Sequence, residues 1–70
     1  MEERLLFSVH EVAKILHSSP SYIYKLIDKG YLPSIKLNST KILKESLIQF
    51  LKENEGNDLS DLENIKRING

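Results

Sequence analysis

Between Ser8 and Leu51 the apolar positions switch from helical spacing to alternation and back again. Val12, Ala13, Ile15 and Leu16 recur as on one face of a helix, and Ile23, Leu26 and Ile27 do the same. Residues Ser34 to Leu37 and Lys41 to Leu43 alternate, as half-buried strands do. From Glu45 to Asn54 helical spacing returns, with Leu47, Ile48, Phe50 and Leu51 apolar. The pattern predicts two helices, a two-stranded hairpin and a third helix.

Capping chemistry punctuates these segments in the right order. Ser8 and Glu11 form a capping box at the first helix, and Ala13 is a small residue over which a second helix can cross closely. His17-Ser18 makes a tight connection. Ser19 caps the second helix, with Pro20 at the first helical position, where a missing N–H costs nothing. Gly30 follows Lys29 as a stop, because a left-handed residue is cheapest without a Cβ. Pro33 pushes Leu32 into an extended conformation, and Asn38-Ser39-Thr40 supplies the hairpin turn. A lone hairpin is marginal, so Ile35, Leu37 and Ile42 are expected to lean on the helices. Glu55-Gly56-Asn57 ends the third helix. Beyond it, Asp58 is a cap candidate, and Leu59, Leu62, Ile65 and Ile68 recur by threes, a stripe only partly coherent on a helix. Asp61 and Glu63 near the start and Lys66 and Arg67 near the end suit a helix dipole. The fold expected is mainly α with a small β-hairpin, α-α-β-β-α plus a short C-terminal helix. Residues 1–54 form the domain and residues 55–70 an acidic amphipathic tail.

Seventy residues allow one modest core and little room for a catalytic cleft. The chain has no cysteine, hence no disulfide or thiolate-metal site. Met1-Glu2-Glu3-Arg4 is charged, and Leu5-Leu6-Phe7 is too short for a signal-peptide core. No segment reaches membrane-spanning length, so a soluble, cytoplasmic protein without membrane association is expected. His10 and His17 have no second ligand at metal spacing, and Ser8 and Ser19 are caps with no general base in register. An enzyme, a metal, a cofactor and a small-molecule ligand are all unexpected. Net charge is zero but unevenly spread. Residues 1–52 hold eight basic and five acidic residues, +3; residues 53–70 hold two and five, −3. A basic body with an acidic tail suits a weak nucleic-acid binder, although random placement of charge gives the same total.

The segment Phe7 to Leu51 resembles the excisionase-type helix-turn-helix family, relatives of MerR-like winged-helix domains. The resemblance rests on Phe7-Ser8-x-x-Glu11-Val12-Ala13-x-x-Leu16. It continues through Ser19-x-x-Tyr22-Ile23-Tyr24-Lys25-Leu26-Ile27-x-x-Gly30-x-Leu32-Pro33, then Ile35-Lys36-Leu37 and a closing amphipathic helix. It implies a winged helix-turn-helix whose second helix enters the major groove of double-stranded DNA while the wing touches the flanking backbone or minor groove. Small members of the family include recombination directionality factors, which help an integrase excise a phage or integrative element, and transcriptional regulators. Two features depart from the pattern. Pro20 stands where a basic residue is common, and the wing tip Asn38-Ser39-Thr40 is neutral where arginines are common.

On this reading Ser19, Ser21, Tyr22, Tyr24, Lys25, Asp28 and Lys29 make up the recognition helix. Lys25 can donate to guanine O6/N7, Ser21 to a base or phosphate, and the Tyr24 hydroxyl to a phosphate. Asp28 repels phosphate unless it accepts from cytosine or pairs with a lysine. Tyr22 either packs against Ala13 or joins the interface. Lys36, Asn38, Ser39, Thr40 and Lys41 form the wing, with backbone contact through Lys36 and Lys41. So few positive charges imply weak binding by one copy, hence cooperative self-association on DNA or an integrase partner. Leu59, Leu62, Ile65 and Ile68 are the candidate partner-binding residues; the alternative is that the tail folds back over Phe50 and Leu51. A protein-interaction module that has lost DNA affinity is a competing reading. The DNA reading requires the hydrophilic side of Ser19–Lys29 to be open to a duplex.

Overall fold

Ser8 ends the first strand and caps the first helix. Its Oγ accepts from the Glu11 amide at 3.1 Å, and the Glu11 carboxylate accepts from the Ser8 amide at 2.8 Å, completing the expected box. The computed structural model describes residues 4–68; the charged start Met1–Glu3 and the last two tail residues, Asn69 and Gly70, lie outside that range. The order is β1 (Leu6–Ser8), α1 (Val9–Ile15), α2 (Pro20–Asp28), β2 (Ile35–Lys36), β3 (Thr40–Leu43), α3 (Lys44–Glu53), β4 (Asn57–Asp58) and β5 (Lys66–Arg67).

The joint between α1 and α2 is a Schellman turn. The Ser18 amide donates to Ala13 O and the His17 amide to Lys14 O, with His17 at φ +54°. A left-handed residue with a Cβ costs about 1–2 kcal/mol, and glycine escapes that penalty. His17→Gly is therefore expected to raise stability by about 1 kcal/mol, seen as a thermal midpoint about 5 °C higher. An unchanged or lower midpoint would contradict the strain. The same motif closes α2, where Gly30 at φ +82° donates to Ile27 O and Tyr31 to Leu26 O.

Val9, Val12, Ala13, Ile23, Leu26, Leu32, Ile42, Leu47 and Phe50 make the core, joined by Leu62 from the tail. Val9 and Leu32 were not among the expected core positions, and Ile15, Ile48 and Leu51, which were, stay exposed. Ile15 falls off the arc shared by Val9, Val12, Ala13 and Leu16 at 3.6 residues per turn.

The wing differs from the expected two-stranded hairpin leaning on the helices. β3 is the central strand of an antiparallel sheet ordered β1-β3-β2, with Phe7 opposite Ile42 and Ile35 opposite Lys41. Ile42 is completely buried, whereas Ile35 and Leu37 are 38% and 58% exposed and do not lean on the helices. Period-two alternation explains this correction: pairing with Lys41 puts Ile35 on the sheet face opposite Ile42. β1 supplies the missing support, and Leu5 O also accepts the Lys44 amide at 2.9 Å, where α3 has no side-chain cap.

The predicted C-terminal helix is not formed. Residues 57–67 make a loop closed by the β4–β5 pair, with Asn57 opposite Arg67 and Asp58 opposite Lys66. Asp58 Oδ1 accepts from the Ser60 amide and hydroxyl, and Asp61 Oδ1 accepts from the Glu63 amide. Such local side-chain bonds compete with helix, and apolar residues spaced by three cannot hold one helical face.

Candidate nucleic-acid interface

Helix α2 is fixed along its length before any of its outward side chains are considered. Ser19 Oγ accepts from the Tyr22 amide at 3.2 Å, Pro20 opens the helix and Gly30 closes it. Ile23 and Leu26 are completely buried and Ile27 is half-buried, which turns Ser21, Tyr24, Lys25 and Asp28 to solvent. Tyr24 is 46% exposed. Lys36, Asn38 and Ser39 are exposed on the wing, with Thr40 and Lys41 half-exposed behind them. Helix and wing thus present two groups of polar residues, one with Lys25 and one with Lys36 and Lys41.

Tyr22 and Lys29 stand apart from this open side. Tyr22 is half-buried against the core, and its hydroxyl donates to Leu59 O at 2.6 Å. Burial, and then the Asp58 carboxylate, push its pKa above the usual tyrosine value. Lys29 Nζ is paired with Glu63 Oε2. The hydrogen bond from Lys29 holds the Glu63 carboxyl below the usual range, and Glu63 in turn raises the Lys29 ammonium. A depressed carboxylate keeps its contribution until pH falls through its lowered value; a raised ammonium keeps its own until pH rises through the raised one. The pair is therefore intact across the whole span between the ordinary carboxylate and ordinary lysine ranges, and beyond it at both ends.

The tail accordingly lies on the domain along one edge of α2, with Leu62 joining the core that holds Phe50, while Leu51 is left 44% exposed. Leu59, Leu62 and Ile65 face the core, while Ile68 is 67% exposed. A cleft of about 250 Å³ remains between α2 and the tail, lined by Tyr22, Lys25, Lys29, Asp61, Leu62 and Glu63. Tyr31, whose hydroxyl reaches Leu62 O at 3.4 Å, and the carboxylates of Asp61 and Glu63 were not among the expected site residues. The opposed charges of body and tail were the available signal.

Among the described residues the other ion pair is Arg4 with Glu11 at 2.7 Å, the guanidinium also lying 5.5 Å from the Phe7 ring centre. The backbone amide of Ser8 foremost, then Arg4, lowers the Glu11 pKa. Lys25, Lys36 and Lys41 have no acidic partner among the described residues. His10 and His17 are exposed, and no group of three potential metal ligands occurs among the described residues. No helix there is long and apolar enough to cross a membrane.

A capped helix pair followed by a β-wing defines a winged helix-turn-helix module. The family model described as a helix-turn-helix domain matches residues 6–55, and the chain belongs to that family, the excisionase-type helix-turn-helix family. These are DNA-binding domains and generally non-enzymatic. The comparisons with curated proteins and with solved structures each gave no match. The matched span begins at β1 and stops at Glu55, leaving the rest of the tail outside it.

Proposed function

We propose that this chain is a sequence-specific DNA-binding accessory protein, an excisionase-type recombination directionality factor of a phage or integrative element. Residues 1–54 act as the reading domain and residues 55–70 as an appended arm. The observation that carries the reading is the solvent-facing row Ser21, Tyr24, Lys25 and Asp28 on a helix locked at both ends, with the wing lysines Lys36 and Lys41 unpaired with any acid among the described residues. Helix α2 enters the major groove, where Lys25 donates to guanine and Ser21 bonds a base or phosphate. Lys36 and Lys41 hold the backbone, since a neutral wing tip has little to offer a narrow minor groove. Few free cations mean low affinity per copy, which adjacent copies or an integrase raise. The same reading head serves a transcriptional regulator; footprints at attachment sites favour excision and footprints confined to promoters favour regulation.

Fluorescence anisotropy with labelled duplexes tests the assignment. Lys25→Ala is expected to weaken binding about tenfold and to alter base preference, a contact worth ~1–3 kcal/mol. Lys41→Ala is expected to weaken all duplexes alike and reduce the salt slope by about one. Absence of salt-sensitive binding at micromolar protein, or identical behaviour of the two variants, would defeat it.

A further inference from the structure

The polar side of α2 is open on one edge and occupied on the other. Tyr22 and Lys29 are seven residues apart, about 10 Å along the axis, and mark the occupied edge. Residues 59–63 run beside it. Leu59 O takes the Tyr22 hydroxyl, Leu62 is 8% exposed in the core, and Glu63 holds the lysine at the helix end. Asp61 lines the same cleft next to Lys25 and Lys29. A helix with its side chains is about 10–12 Å across and the major groove about 12 Å wide, so a seated helix has a phosphate ridge against each edge. Along the Tyr22–Lys29 edge that position is filled by carboxylates and backbone carbonyls.

We infer that the C-terminal arm, residues 55–68, is an intramolecular competitor for DNA: closed, it stands where a phosphate strand would lie along α2, and it must move aside for the helix to seat fully. The inference rests on the DNA-binding reading above. Lys25, Ser21 and Tyr24 stay accessible with the arm closed, so a duplex can make first contact before displacement. Lys29 then exchanges Glu63 for a phosphate. The arm leaves α3 through the short turn at residues 54–56, where Gly56 sits at φ +88° and its carbonyl accepts the Ile68 amide. Apparent affinity is reduced by the fraction of molecules with the arm open.

The test uses the full chain with Asp61→Asn and Glu63→Gln together, which keeps the arm's length and shape. Glu53→Gln with Glu55→Gln removes equal charge from carboxylates that have no bond to α2. The first pair is expected to tighten duplex binding three- to tenfold and steepen the salt slope by about one as Lys29 becomes available. The control pair is expected to change affinity less than twofold. In the wild-type complex, amide exchange at residues 59–63 is expected to quicken on adding DNA. Equal gains from both pairs, unchanged affinity in the first, or slower exchange in that segment would overturn the competitor role while Lys25→Ala still weakened binding. Absence of binding by wild type and variants alike would remove the DNA reading, and this inference with it.

Discussion

Leu26→Ala is expected to bring the protein to the edge of unfolding at 25 °C. Leu26 is completely buried, in contact with the core that both helices of the pair share. Truncating such a leucine removes its transfer free energy and leaves a cavity, about 2–5 kcal/mol in all. A single core in a chain below 80 residues rarely supplies more than about 3–5 kcal/mol. The two quantities are comparable, so one side chain decides whether the fold survives. Urea titration followed by circular dichroism measures it, with Ile48→Ala, on the exposed side of α3, expected to cost about 0.5 kcal/mol or less. A loss below 1 kcal/mol for Leu26→Ala would mean that α2 is not seated as described.

The second large effect concerns the arm. Leu62→Ala is expected to lower stability by about 2 kcal/mol, near the lower end for a leucine because this one sits at the rim of the core. Ile68→Ala, at a well-exposed position, is expected to change it by about 0.5 kcal/mol or less. The contrast discriminates sharply, since the sequence pattern treats these two residues as equivalent members of one stripe. Equal costs would be inconsistent with an arm docked through Leu59, Leu62 and Ile65.

Local chemistry was the legible part of this chain. The Ser8–Glu11 box, the Ser19–Pro20 start and the Gly30 stop depend on residues within a few positions of one another, and each formed as its sequence predicts. The alternation at 35–37 and 41–43 announced strands but not which face would be covered. That depended on β1, a strand of three residues with no turn signal before it and no polar alternation of its own. Its partner is more than thirty positions away, and local spacing contains no record of such pairing. The tail's spacing misleads for a related reason. Leu59, Leu62 and Ile65 are apolar because each meets the domain from a loop, a requirement that fits a weak helical stripe equally well. On α2 the outward residues followed from the buried ones, so Ser21, Tyr24, Lys25 and Asp28 were accessible to reasoning. The occupation of Tyr22 and Lys29 was not, because it requires knowing where the far end of the chain lands.

The pairing of β1 with β3 has a mechanical corollary. Because β1 runs without a break into α1, and β3 is bonded to β1, the hairpin is bolted to the helical pair and has no hinge between them. On the proposed DNA-binding reading, the module would therefore work as a ruler of fixed length. An extra base pair between the stretch proposed to meet α2 and the stretch proposed to meet Lys36 and Lys41 would shift one by about 3.4 Å and rotate it by about 35°. Rigid spacing of this kind would convert a binding site into a measured interval, making the distance between contacts as much a part of the proposed signal as the bases themselves.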